Sequence, residues 1–304
     1  MPRRLLAILI LLSSSAFAGM VEDVRAALAQ NNFTLAEAEL HNYRDHEGVT
    51  PEYLEALSWM ARASFSANNL DQADTYAKQT EILVRQQLQH RSLDAEPHLP
   101  LALGAALEVE AQVLDARGQK KQAVALLQRN LLIYRATSIR ARLKKNLNLL
   151  ALTGQPAPPL NTSESLGPHP QTLGELKGSP VLLFFWAHWC GDCKYEGPII
   201  SRLSSEFAAK GLKVEAPTQL YGYAAGGEDA KPKAELDYIQ QVWQHYYPGL
   251  QSVPVPVSQA NFVSYGASTT PTLVLLDRKG SVALYHPGLM EYADLRAALE
   301  RVAR

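Results

Sequence analysis

The sequence predicts an α/β layer fold in its second half, with an all-α half of helical hairpins before it. Three observations carry this. Apolar residues recur at helical spacing from Gly19 to Leu152, a proline-rich stretch then breaks the pattern, and beyond it come apolar runs of strand length. The chain has 304 residues, a length that suggests about two domains, and a formal net charge of −1.

The first segment reads as an export signal. Arg3 and Arg4 precede the apolar run Leu5–Leu12, and small residues stand at Ala16 and Ala18. That pattern predicts a signal peptide over 1–18, cleaved after Ala18. The apolar core is far shorter than the ~20 residues of a membrane-spanning helix. The expectation is therefore a mature chain in the periplasm, with no membrane span after cleavage.

Residues 19–152 read as helical throughout. Val21, Val24 and Leu28 repeat at helical spacing, as do Ile139, Leu143, Leu147 and Leu150. Three junctions look alike, "NNFTLAEAEL", "NNLDQADTYA" and "RGQKKQAVAL", each placing an alanine (Ala36, Ala73, Ala123) early in the following helix. A small residue there lets antiparallel helices approach closely. The alanines lie 37 and 50 residues apart, whereas tetratricopeptide repeats recur every ~34. The region resembles a short, irregular tetratricopeptide-like array, and plain helical packing without repeats stands beside that reading.

Charge is unevenly spread here. From Gly19 to Asp115 there are 16 acids and 6 bases, and from Ala116 to Ser163 there are 9 bases and no acid. Mutual neutralisation inside one folded unit accounts for this. The alternative is a basic face for an acidic partner protein, centred on Arg135, Arg140, Arg142, Lys144 and Lys145. Nucleic acid does not suit an exported chain.

"TGQPAPPLNTSESLGPHPQ", residues 153–171, carries five prolines, which no helix continues through. We place a boundary near Thr153, giving a helical unit 19–152 and an α/β unit 153–304. Val181–Trp186 is uninterruptedly apolar, as in a central strand covered on both faces. A helix is expected from about Cys190 to Gly211, with Ile199, Ile200, Leu203 and Phe207 on its buried side. "TLVLLDRKGSVALY" reads as two strands joined by a turn at Asp277–Gly280. A closing helix places Tyr292, Leu295, Leu299 and Val302 on one face.

Cys190 and Cys193 are the only cysteines, so no disulfide framework spans the chain. A zinc site wants four ligands and finds no second cysteine pair, and His188 does not make up the number. Covalent haem attachment needs a histidine after the second cysteine, where Lys194 stands. A purely structural bridge over so short a loop removes little unfolded-state entropy. A reversible dithiol fits best. At a helix start, free amides and the helix dipole stabilise the thiolate of Cys190, while Cys193 lies one turn further in. The expectation is a Cys190 open to solvent and a shielded Cys193. No metal and no bound cofactor is expected.

"FFWAHWCGDCKYEGP" resembles the active site of the thioredoxin superfamily, with its tryptophan before the pair, lysine after it and helix-kinking Pro198. "STTPTLVLLDRKG" is similar to the second landmark of that family, in which a cis-proline faces the dithiol. The lead-in "GQPAPPLNTSESLG…TLGELKGSPVLLFFWA" resembles the TlpA/ResA-like branch of thiol-disulfide oxidoreductases. The resemblance covers residues 153–304 and implies a thioredoxin-like fold, a central mixed sheet flanked by helices.

The resemblance also implies roles. Cys190 attacks, Cys193 resolves, and Trp189, Thr270 and Pro271 meet the partner. Glu196 matches the acid of the branch's Lys-x-Glu-x-Pro pattern and would move the Cys193 proton, with a solvated helix glutamate as the alternative. Phe184 replaces the buried aspartate of thioredoxins proper. Asp192 opposes a thiolate on Cys190 by like charge, while the helix dipole favours it; the expectation is a reducing rather than an oxidising pair. The partners implied are proteins bearing disulfides or dithiols, with a further protein partner on the helical unit.

His188 is read as an exposed loop side chain, with a role toward Cys190 as the alternative. Residues 217–250 are read as a glycine-rich loop and an aromatic covering helix, with a partner surface beside the dithiol as the alternative. Two rival functions remain. One is a non-catalytic redox-sensing scaffold. The other is a thiol peroxidase, whose Pro-x-x-x-Thr-x-x-Cys context is missing here.

Overall fold

Helix periodicity closes into hairpins in a computed structural model that describes residues 19–303. The signal-peptide reading, with its cleavage after Ala18, lies outside the described residues. The helices are α1 Met20–Ala29, α2 Phe33–Glu47, α3 Pro51–Ser66, α4 Leu70–Gln87, α5 His98–Ala116, α6 Lys120–Ile133 and α7 Arg140–Ala151. Helices α1 and α2, α3 and α4, and α5 and α6 pair as hairpins, while α1, α3, α5 and α7 pack in succession.

The three similar junctions share one turn chemistry. Asn31, Asn68 and Gly118 occupy the left-handed region, with φ of 55°, 58° and 75°. The residue after each donates its amide to a carbonyl five positions back: Asn32 to Ala27, Asn69 to Ser64 and Gln119 to Leu114. Asparagine and glycine tolerate that conformation best, and this bond satisfies an orphan carbonyl of the preceding helix. Asn32 and Asn69 then cap α2 and α4 through their side chains. Ala36, Ala73 and Ala123 are all fully buried at the helix crossings.

Neutralisation explains part of the charge asymmetry. Glu108 on α5 accepts from Arg142 at 2.7 Å and from Lys145 at 3.0 Å, both on α7. Burial alone would raise the Glu108 pKa, but these two cations outweigh it and hold it below the usual carboxylate range. Arg135 and Arg140 stay exposed.

The second half builds a four-stranded sheet from β2 Val181–Phe185, β3 Lys213–Glu215, β5 Thr272–Leu276 and β6 Val282–Pro287, in the order β3-β2-β5-β6. Strands β2 and β3 are parallel, and the other pairings are antiparallel. A small ladder joins β1 Ser165–Leu166 to β4 Val255–Pro256. The helices here are α8 Gly191–Glu206, α9 Pro232–Tyr246, α10 Gln259–Tyr265 and α11 Tyr292–Val302. This is the thioredoxin-like arrangement, a mixed sheet flanked by helices.

Strand β2 is buried along its whole length because both faces are covered. Leu182, Phe184 and Trp186 point into a core with residues of α8, α9 and α11. Val181, Leu183 and Phe185 point the other way, against Phe262 and Tyr265 of α10 and Leu152 just past α7. Leu295 and Leu299 of α11 are fully buried, as their spacing predicts. The proline-rich lead-in lies along the edge of β6, where Gly154 donates to Val282 and Ala157 to Gly280.

One seam ties the two halves together. Helix α7 packs on α10, and the buried Asn148 side chain donates to the Tyr265 carbonyl at 2.7 Å. Gly266 follows with φ of 62°, and a Cβ there would lie 2.3 Å from the Lys145 nitrogen. Only glycine meets both demands. Among the described residues, no helix is long and apolar enough to cross a membrane.

Candidate active site

Cysteine chemistry at a helix mouth depends on what the first turn offers. Cys190 is the N-cap of α8, and its Sγ accepts from the Cys193 amide at 3.0 Å. The two cysteines form a disulfide, with their Cα atoms 5.3 Å apart. Helix α8 begins at Gly191 and ends at Glu206; a single 3₁₀ turn then runs to the left-handed Gly211, so the expected helix end at Gly211 is corrected to this two-step finish. The preceding loop is fixed from below. The Trp186 indole donates to the Ala216 carbonyl at 3.0 Å, and Thr218 Oγ1 donates to the Trp186 carbonyl at 2.9 Å.

Accessibility at the pair differs from expectation. Cys193 is fully buried, as foreseen, but Cys190 is itself only 3% exposed. In the oxidised form its sulfur is turned inward onto Cys193 and its amide. The exposed rim is made of Trp189, which is 50% exposed, together with Gly191, Asp192 and Tyr195. Trp189 rests edge-on against Tyr221, with centroids 5.6 Å apart.

Pro271 meets the same end of the sheet. The Thr270–Pro271 peptide is cis, and Thr272 pairs with Phe185, so Pro271 stands just beyond the last ladder pair, at the sheet end that leads into Trp186. Pro271 is buried and its carbonyl accepts from Gly288 at 2.7 Å. Thr270 is half-buried, and among the described residues no hydrogen bond engages its amide or carbonyl.

Glu196 is fully buried, which sets aside the solvated alternative. It stands at i+3 from Cys193, which puts the two on one face of α8 with Cβ atoms about 5–6 Å apart. Its Oε2 accepts from the Met290 amide at 3.0 Å, whereas its Oε1 has no partner among the described residues. Burial pushes its pKa up to about 7, Glu291 adds to the rise, and the Met290 amide opposes it. A carboxyl poised near neutrality is equipped to take and return a proton.

His188 is corrected: it is buried, 1% exposed, and turned away from the exposed rim. Its Nε2 lies 3.4 Å from Glu235 Oε1, close enough for an ion pair but outside hydrogen-bond geometry. The rings of Tyr221, Tyr223 and Tyr238 surround it edge-on at 5.3 to 5.6 Å. Burial lowers the His188 pKa and outweighs the pull of Glu235. Glu235, buried at the start of α9, accepts from the amides of Tyr221 and Gly222. Sequence reasoning missed Glu235, whose partners lie 13 to 47 residues away and leave no local signature.

Helix α9 covers the sheet. Trp243 and Tyr247 stack at 4.7 Å and lie over Trp186 at 4.9 and 5.1 Å. Gly197 makes room for that layer, since a Cβ there would come 2.5 Å from Tyr247.

Fold and site together define a thioredoxin-like domain with a CxxC pair at its helix mouth. Residues 175–303 match the family model described as a thioredoxin-like domain. The chain is similar to the thioredoxin-like protein YneN of Bacillus subtilis (strain 168), 29% identical over 147 residues, covering 48% of this chain and 78% of that one. It is also similar to the thiol:disulfide interchange protein DsbE of Xylella fastidiosa (strain Temecula1 / ATCC 700964), 28% identical over 141 residues, 46% of this chain and 64% of that one. The thiol-disulfide oxidoreductase ResA of Geobacillus thermodenitrificans (strain NG80-2) is 25% identical over 132 residues, 43% of this chain and 67% of that one.

Proposed function

We propose that this chain is an exported protein-disulfide oxidoreductase that exchanges disulfides with partner proteins, working in the reducing direction. The observation that carries the reading is the Cys190–Cys193 disulfide at the α8 mouth, with a cis-proline at the same sheet end. The names of the similar proteins above support it.

The exchange balances in two displacements. The Cys190 thiolate attacks one sulfur of the partner disulfide, forming a mixed disulfide and releasing the other sulfur as a thiolate that takes a proton. Cys193 gives its proton toward Glu196 and attacks Cys190 Sγ, so the partner leaves with its second sulfur reduced. Two electrons pass to the partner and the Cys190–Cys193 disulfide remains. A dithiol reductant protein resets it. Because Cys190 is 3% exposed in the oxidised form, it is the reductant thiol resetting the disulfide that approaches through a narrow opening rimmed by Trp189. The unengaged main chain of Thr270 offers an extended partner strand its pairing groups, and Pro271 leaves room by lacking an amide.

The export signal 1–18, the boundary near Thr153 and the tetratricopeptide-like character of 19–152 belong to the same proposal. The shared left-handed turns and the successive packing of α1, α3, α5 and α7 support the last of these. Insulin-disulfide reduction by the full chain, lost at least 10³-fold in Cys190→Ser, tests the activity. No turnover by a folded wild-type chain assigns it instead to a redox-sensing scaffold. A redox titration placing the couple among strongly oxidising enzymes overturns the direction.

A further inference from the structure

A groove of about 740 Å³ opens where the helical half meets the segment before Pro271. Its floor includes Phe65 and Val109, its rim carries Arg62, Arg142 and Lys145, and Ser268 and Thr269 close the far wall. Thr269 stands two residues before Pro271, so its Cα is at most about 7 Å from that of the proline. Whatever lies in the groove therefore ends within two residues of the cis-proline.

The charge in the groove is unbalanced. Glu108 is its one carboxylate, already shared between Arg142 and Lys145. Arg62 has no ion-pair partner among the described residues. Its guanidinium instead lies 4.5 Å over the Trp59 ring, whose other contact is Arg25 at 4.6 Å. Burial, and next the charge of Arg142, bring the Arg62 pKa down to about 10, so an anion here would relieve both. Arg62 comes from an otherwise acidic stretch, Gly19–Asp115, with 16 acids against 6 bases, and Arg142 and Lys145 come from Ala116–Ser163, with 9 bases and no acid. Apolar floor and cationic rim complement a chain with alternating apolar and acidic side chains.

We infer that this groove binds an acidic, partly apolar extended segment of the substrate protein and so selects which disulfides reach Cys190. The inference rests on the proposed oxidoreductase activity for its purpose, but its binding step does not.

Binding is therefore measured without redox chemistry, by fluorescence anisotropy on the full chain carrying Cys190→Ser and Cys193→Ser. The probes are a cysteine-free dodecapeptide alternating Glu/Asp with Leu/Phe and its counterpart with Lys at the acidic positions. The acidic peptide is expected to bind at least tenfold tighter, with the advantage shrinking as salt rises. Arg62→Gln should lose about tenfold in affinity, and Arg62→Lys should stay within threefold of the parent. Arg25→Gln, on the exposed side of Trp59, gives a smaller loss in the same direction and guards against misfolding of the Arg62 variant. Equal affinity for both peptides, or an unchanged preference in both Arg62→Gln and Arg25→Gln, overturns the inference. A sedimentation experiment showing a dimer that Arg62→Gln disperses assigns the groove to a second copy and overturns it as well. Insulin reduction without peptide preference sinks the groove alone, and peptide preference without insulin reduction sinks the oxidoreductase reading alone.

Discussion

Two buried glutamates flank the dithiol, and their surroundings differ. Glu235 accepts two backbone amides and faces the His188 ring, which ties the Tyr221–Gly222 loop to the loop before Cys190. Glu196 accepts one amide and keeps an oxygen with no partner. Two amide donors hold the Glu235 carboxyl in place, whereas burial raises the half-satisfied Glu196 to about 7. The same residue type thus latches two loops on one side and, in the proposed exchange, would store a proton on the other.

Removing the latch should have the largest effect on stability. Glu235→Ala leaves two amides without their acceptor and the imidazole without its neighbouring carboxylate, and we expect a loss of about 3 kcal/mol in urea unfolding. A loss below about 1 kcal/mol would equate the two sites and break the contrast. Glu196→Gln should do the reverse. Stability at pH 4 stays within about 1 kcal/mol, while insulin reduction at pH 7 falls about 10²-fold and loses its inflection near pH 7. An unchanged pH profile removes Glu196 from proton transfer.

Stability against pH sharpens the contrast further. The folded-state pKa of Glu196 is raised to about 7 from an ordinary carboxylate value of 4.5. Between those values the folded chain binds more protons than the unfolded one, so stability is highest below that window and declines as pH rises through it. The difference between wild type and Glu196→Gln should therefore change by about 3 kcal/mol from pH 4 to pH 8, in favour of the variant at high pH. Glu215 and Glu110, raised by burial to about 7 and about 8, leave a slope of the same sign in the variant. Glu291→Gln should have the smallest effect, lowering the inflection in the wild-type rate profile by a few tenths of a pH unit. A shift upward would contradict the like-charge effect of Glu291 on Glu196.

The sequence was most informative where the physics is local. Val181–Trp186 reads as a central strand because a run without polar residues survives only when both faces are covered. The turns at Asn31, Asn68 and Gly118 show themselves through residue types that accept left-handed backbone. Cys190 and Cys193 stand out through their spacing, and Pro271 through the resemblance to the thioredoxin cis-proline landmark. Burial at a distance was illegible. Nothing around His188 announces that Glu235 and three tyrosines from a later segment will enclose it. The inward turn of Cys190 depends on the disulfide being closed, a state that residue spacing does not record.

The seam at Asn148, Tyr265 and Gly266 bears on how this molecule can be cut and recombined. Freed from α7, the sheet half would present the apolar surface around Phe262 and Tyr265 to water and lose the wall that anchors the approach to Pro271. A grafted helical module would have to bring its own asparagine and its own close backbone to meet a residue without a side chain. The two halves therefore go together: cutting the chain at this seam uncovers a sticky flank on the sheet half.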